Sequence, residues 1–209
     1  MEGVLEFLRL AEKLKCVERT NYLSVGGRES AAAHSWGLGL FIMVFAGRVK
    51  NKVDVERCLK MAVVHDLPEA EVGDVGLHET IDNVGADARK CERELVVLER
   101  MRGMLAEGAG EEIYELWREY EDGETAEAKF VKALDKLEAT WQALMYGDVR
   151  YWANYGEGDE YFDIVLNDRK KKWYGYEEVF VEFAEVMKGM LREQMRAAGL
   201  SPEEIEGRG

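Results

Sequence analysis

Two histidines and several acids stand out because they interrupt apolar surroundings. Within "MAVVHDLPEAEVGD" (61–74) an apolar run ends in the adjacent His65 and Asp66, and Glu69 and Asp74 follow within nine residues of His65. A buried His beside a buried Asp is costly unless both have partners. His34 shares a helical face with Leu38, Phe41 and Phe45, at i, i+4, i+7 and i+11. Asp135 borders the apolar stripe of Phe130, Leu134, Leu137, Trp141 and Leu144. Each residue alone has a bland explanation, a hydrogen-bonded core histidine or the polar edge of an amphipathic helix. Together they form a donor set. Two imidazoles and two carboxylates from three separate helices suit a divalent ion such as Mn, Fe, Co, Ni or Mg. Four protein ligands on an octahedral ion leave about two positions for water and substrate.

The elements that must position these residues are helical. Apolar positions recur with helical spacing almost throughout, and no alternating pattern marks a strand. Helices are expected from about Val4 to Cys16 and from Glu29 or Ser30 to about Val49, with a glycine-containing loop, "NYLSVGGRES", between them. Asp54 is an N-cap for "VERCLKMAVVHD", which Pro68 interrupts, and "EAEVGD" reads as a short turn of helix ending at Gly73. Further helices are expected over about Ala86–Glu107, Glu111–Glu121, the "TAEAKFVKALDKLEATWQALMYG" segment and Glu177–Ala197. No repeat or linker divides the chain. One all-α domain over residues 1–209 is expected, with its core at about 4–147, C-terminal helices at about 160–198 and a solvated tail at 200–209.

Composition bounds the function. The 209 residues are 47% hydrophobic and 33% charged, as in an ordinary globular protein. The formal net charge of −14 repels nucleic acid polymers. An anionic substrate therefore needs a local positive site, a metal or an arginine. The basic run "DRKKKWYG" reads as a solvated helix face. No stretch approaches the ~20 apolar residues of a membrane span. The N-terminal segment is amphipathic, unlike a signal peptide. Three scattered cysteines, Cys16, Cys58 and Cys91, fit reduced thiols in a cytoplasmic protein.

The ordered pattern H…HD…D on helices resembles the HD-domain metal phosphohydrolases. "ESAAAHSW" (Glu29–Trp36), "AVVHDLPEAEVGDV" (Ala62–Val75) and "KALDKLEATWQALMYG" (Lys132–Gly147) are similar to the 5′-deoxynucleotidase family within them. The specific part is the spacing His65-Asp66-x-x-Glu69-x-x-x-x-Asp74. The resemblance implies one divalent metal held by His34, His65, Asp66 and Asp135. It also implies that Glu69 positions or activates the attacking water, and that Asp74 contacts the sugar or assists proton transfer. Arg19, in "KCVERTNY", matches the family arginine that meets the phosphate. The implied activity is removal of the 5′-phosphate from (deoxy)nucleoside monophosphates, and the implied assembly is a homodimer. Two departures fall outside the ligand set and bear on specificity. Ala33 stands where relatives often carry an acid, and Thr20 where some carry an aromatic.

Other readings remain open on the sequence alone. Another HD-type hydrolase would act on a triphosphate, a diester or an alarmone. Two-metal chemistry needs additional histidines, and only His78 is left over, in the polar stretch "GLHETID". A non-catalytic helical scaffold with a structural metal is the second alternative. Such sites are usually closed, and two further acids after the ligand pair count against it. Trp141, Trp152, Trp173 and the tyrosines of "YWANYGEGDEYF" read as core or subunit-interface aromatics rather than base-stacking groups.

Overall fold

A computed structural model of the chain describes residues 1–74, 86–105, 108–147 and 171–199. His78, Trp152, the tyrosines of "YWANYGEGDEYF" and the tail from residue 200 lie outside the described residues. The described chain is helical apart from one small hairpin. The order is α1 (Glu2–Glu12), a 3-10 turn (Lys13–Cys16), β1 (Glu18–Tyr22), β2 (Arg28–Ser30), α2 (Ala31–Phe45), α3 (Val55–Val64) and α4 (Glu69–Val72). Then come α5 (Ala86–Met104), α6 (Ala109–Asp122), α7 (Ala126–Tyr146), α8 (Lys171–Tyr174) and α9 (Glu178–Ala197).

Local chemistry sets the starts of the helices that carry the site. Ser30 Oγ accepts from the Ala33 amide at 3.1 Å, Asp54 Oδ1 from Arg57 at 3.1 Å, and Thr125 Oγ1 from Ala128 at 3.1 Å. Each satisfies an amide that has no partner within its helix. The helix expected from Glu29 or Ser30 to Val49 therefore begins at its cap, but it ends at Phe45, earlier than periodicity indicates. A buried carboxylate ties down the chain just beyond this end. Glu177, just before α9, accepts from the amides of Lys50 and Asn51 at 3.0 and 3.1 Å and from Asn51 Nδ2 at 2.9 Å. Those amides bond across to another element instead of continuing the helix.

The hairpin corrects the expectation that no strand is present. Strands β1 and β2 pair antiparallel, Glu18 opposite Ser30 and Tyr22 opposite Arg28, with an irregularity between. The turn places Gly26 and Gly27 at φ 82° and 87°, a conformation that costs glycine little. "ERTNY" has no apolar alternation because the hairpin is held through polar groups. Asn21 Nδ2 donates to the Ala139 carbonyl at 3.1 Å, and Gln142 Nε2 donates to the Tyr22 carbonyl at 2.7 Å. Both bonds dock it on α7.

Helix α7 is the axis of the core. Its buried residues, including Ala128, Phe130, Val131, Leu134 and Leu137, pack in one cluster with Leu38, Ile42 and Phe45 of α2, Cys58, Met61 and Val64 of α3, and Phe180, Met187 and Leu191 of α9. A second cluster joins Phe7, Leu10 and Leu14 to Leu67, Ala70, Val97 and Met101. It fixes α4, the short helix after the His–Asp pair, against α1 and α5. Cys16, Cys58 and Cys91 are all unpaired. No helix among the described residues is long and apolar enough to cross a membrane.

Replacing Glu177 by Ala removes the acceptor shared by the Lys50 and Asn51 amides, which water can reach in its place. The expected loss is about 1–2 kcal/mol of unfolding free energy, read by urea denaturation. Glu177→Gln keeps one acceptor and should lose less. A loss below about 0.5 kcal/mol, the range of ordinary surface substitutions, would remove this staple from the account.

Candidate metal centre and its surroundings

Every candidate residue named from the sequence and described in the structure lies in or beside one polar cluster. His34 is in the first turn of α2, fully buried, and faces α7. His65 and Asp66 follow α3 directly. Asp135 is mid-α7, Glu69 opens α4, and Arg19 comes in on β1. Asp74, partly exposed just beyond Gly73, is near enough for its charge to act on Arg19 and Glu69.

The two imidazoles are oriented from behind. His65 Nδ1 donates to the Ala62 carbonyl at 3.0 Å, so Nε2 presents its lone pair. That Nε2 lies 3.2 Å from Asp66 Oδ2, yet it is buried with no hydrogen-bond partner. His34 Nε2 lies 3.0 Å from Asp135 Oδ1, and the two rings meet edge to face with centroids 5.4 Å apart. His34, His65 and Asp66 each bring one ligand atom to within 4.8 Å of the others. Two carboxylate oxygens and two imidazole nitrogens facing one another in the interior need a cation or protons between them. Cis ligands of an octahedral ion with bonds of about 2.1 Å sit about 3 Å apart, close to the 3.0 and 3.2 Å spacings of the His–Asp pairs. The orphaned Nε2 and the mixed N/O donor set fit a divalent ion: His34, His65 and Asp66 converge as one group, and Asp135 stands outside that group, beside it through its contact with His34.

The surrounding residues set the charges. Asp135 Oδ2 accepts from the Tyr120 hydroxyl at 2.9 Å and Lys136 Nζ at 2.8 Å, leaving Oδ1 toward His34. Burial opposes ionisation of Asp135, yet Lys136 and His34 hold it well below the usual carboxylate range. Asp66 is likewise held low against its burial by His65, Arg19 and His34. Burial and Arg19 would lower the pKa of His34, but Asp135 and Glu138 overcome them and raise it to about 10. Burial, with Asp66 and Asp74, pushes Glu69 up to about 8 against the pull of Lys90. Lys90 Nζ contacts Glu69 Oε1 at 2.7 Å, while Glu69 Oε2 is buried without a partner. Arg19 Nη1 reaches Asp66 Oδ2 at 3.3 Å, and its Nε lies 3.5 Å from Glu29 Oε2.

Sequence reasoning missed Glu29, Lys90, Glu94, Tyr120, Lys136 and Glu138. Glu138 had a readable signal, an acid i+3 from Asp135 on the buried stripe. Lys90 and Glu94 are spaced i, i+4 in a helix so rich in charge that one inward pair does not stand out.

Such a centre, donors converging from several helices beside an arginine and a buried carboxylate with one unshared oxygen, suits a helical protein built for metal-assisted hydrolysis. Residues 11–179 match the HD domain family. The chain is 39% identical over 151 residues to 5′-deoxynucleotidase HDDC2 of Homo sapiens, covering 71% of each protein. It is 37% identical over 146 residues to 5′-deoxynucleotidase hdd1 of Schizosaccharomyces pombe, covering 69% of this chain and 72% of that one. Among solved structures, a protein of Magnetospirillum magnetotacticum described as a predicted metal-dependent phosphohydrolase superposes with TM-score 0.71 at 25% identity, covering 96% and 95% of the two chains. The PH0347 protein of Pyrococcus horikoshii gives 0.61 at 28% identity, covering 87% of this chain and 98% of that one. The chain belongs to the HD domain family.

His34 must shed a proton to become a neutral ligand. Metal uptake should therefore release protons and tighten as pH rises toward 10. Calorimetric titration of Mn²⁺ or Co²⁺ in buffers of different ionisation enthalpy reads that proton count. At a free metal concentration 100 times Kd, the melting transition should gain about 2.7 kcal/mol of stability. Asp66→Ala should abolish the gain.

Proposed function

We propose that this protein is a metal-dependent 5′-nucleotidase, hydrolysing deoxynucleoside monophosphates to nucleoside and inorganic phosphate. The observation that carries the reading is the buried pair of unshared oxygen and nitrogen, Glu69 Oε2 and His65 Nε2, on opposite sides of Asp66 in sequence. One is a base with no present partner, and the other a ligand with none. The similarity to 5′-deoxynucleotidases across about 70% of the chain supports the substrate class.

His34, His65, Asp66 and Asp135 would hold one divalent ion, of the class Mn, Co, Fe, Ni or Mg. When bound, such an ion polarises a phosphate oxygen and lowers the pKa of water toward ~7. Arg19 offers a planar fork to the phosphate, which a lysine would not reproduce. Its ties to Asp66 and Glu29 hold the guanidinium ready at the site. Lys90 fixes one oxygen of Glu69, and the other takes the proton of the attacking water. The water oxygen bonds to phosphorus, the bond from phosphorus to O5′ breaks, and O5′ leaves with a proton. Asp74 contacts the sugar or delivers that proton.

The same reading includes a homodimer. Helix α2 carries no Asp, Glu, Lys or Arg on any face. Its outward residues Trp36, Leu40, Met43 and Val44 are exposed, Trp36 by 71% and Met43 by 65%. A helix apolar on all sides is normally covered. A second copy presenting the same uncharged stripe would cover it with two-fold symmetry. It would also avoid bringing the acidic surfaces into contact.

Phosphate release from a panel of ribo- and deoxyribo-5′-monophosphates, run with each metal after stripping, tests the activity. Deoxynucleotides should be cleaved, and a simple diester at equal metal should not. Glu69→Gln should keep the metal and lose about 10²–10⁴ in turnover. A near-normal rate would remove Glu69 from the chemistry. For the assembly, Met43→Glu should shift the sedimenting species from dimer to monomer, and a parent chain that sediments as a monomer would sink the dimer.

A further inference from the structure

We propose that Glu138 is the positioning residue that fixes His34 as an Nε2 metal ligand, and that residue 37 is glycine to admit its carboxylate. This rests on the metal reading above.

His34 has both ring nitrogens engaged by α7. Asp135 Oδ1 faces Nε2 at 3.0 Å, and Glu138 Oε2 meets Nδ1 at 2.5 Å. The two acids are three residues apart on one helix, so they reach the ring from one side of the fold. Glu138 is buried to 2% exposure, and no ion pair to a lysine or arginine accompanies it among the described residues. Its contact is therefore directed at the imidazole. A carboxylate on Nδ1–H selects the tautomer with a lone pair on Nε2, fixes the ring's rotation and raises its basicity. His65 obtains the same service from the Ala62 carbonyl, a neutral acceptor. The two ligand histidines are thus supported differently, and His34 has the charged partner.

Gly37 supplies an independent observation. A Cβ there would lie 2.4 Å from Glu138 Oε1 and 3.2 Å from its Cδ. Any side chain at 37 would push the carboxylate off its position. Glycine is a poor helix former, and mid-α2 it needs a reason. Gly39, two residues on, shows that the requirement is local. A Cβ there would meet only Leu59 Cδ2, at 3.8 Å, an ordinary contact. Gly37 and Glu138 are far apart in sequence but fill one space.

The test is titration of Co²⁺ into the metal-free full chain, followed by calorimetry and the visible absorption of the bound ion. Glu138→Ala and Gly37→Ala should each weaken Kd about 10- to 100-fold and change the absorption band. Glu138→Gln retains an acceptor oxygen and should recover part of the affinity. Gly39→Ala should stay within about twofold of the parent. The Gly37→Ala/Glu138→Ala double variant should bind no worse than its weaker single, because both act through one contact. Alanine at 37 favours helix, so a folded Gly37→Ala variant decides the matter even if Glu138→Ala does not fold. A folded Gly37→Ala or Glu138→Ala protein with the parent's Kd and spectrum overturns the proposal. A parent chain that takes up no Co²⁺ overturns the metal reading beneath it, a different result from the first.

Discussion

A cluster of ionisable groups in a water-poor interior constrains everything else in this structure. Glu29, His34, His65, Asp66, Glu69, Asp135 and Glu138 are all buried. Removing that many charges from water is far more costly than any one helix contact is favourable. The protein offsets the cost in three ways. Cationic side chains come in from different elements, Arg19 from β1, Lys90 from α5 and Lys136 from α7. Neutral donors and acceptors, the Tyr120 hydroxyl and the Ala62 carbonyl, take one atom of a carboxylate or imidazole. What remains is a pocket of lone pairs around His65 Nε2, and a divalent cation satisfies it.

That constraint explains the position of α7 and the small hairpin. Helix α7 contributes Asp135 and Glu138 from one turn and docks β1 through Ala139 and Gln142 from the next. The same stretch of helix therefore sets the acids and the distance at which Arg19 stands from them. The staple at Glu177 acts from the far end, tying the loop into α3 to the start of α9. His34 and His65 are at the opposite ends of those two helices. Their separation depends on how α2 and α3 pack, which the shared core of Leu38, Ile42, Met61 and Val64 determines.

Much of this was legible in the sequence, for specific reasons. His34 stood on an apolar face at helical spacing, and Asp135 bordered a clear apolar stripe, so both were visible as polar intrusions. Asp54 announced its helix through cap chemistry. The hairpin was not legible, because Asn21 and Tyr22 are held by bonds to residues more than 100 positions away. The anchoring of the loop after α2 was hidden for the same cause, a carboxylate 126 residues downstream of Asn51. Glu138 was passed over because an acid on an amphipathic helix ordinarily marks its solvated edge, although its i+3 spacing from Asp135 was a signal. The position of His34 across the interface shows it as an inward group. Local pattern thus exposed the candidate ligands, and long-range partners concealed the residues packed behind them.

The acidic balance of the chain gives the site its selectivity for where an anion can settle. With a net charge of −14, the surface field disfavours phosphate generally. Arg19 is the guanidinium inside the cluster, kept charged by Asp66, Asp74, Asp135 and Glu69 although burial acts against it. Its Nε is buried and makes only a long ion pair, 3.5 Å to Glu29 Oε2, without a hydrogen bond, so the arginine keeps donor capacity in reserve. In the proposed reaction, that spare capacity and the ion together create the one local reversal of sign that a phosphate dianion requires. The acids that make the surface repulsive are, at this point, the groups that assemble the cations. Neutralising them would weaken the attraction they organise, because Arg19 and the ion are both held in place by carboxylates.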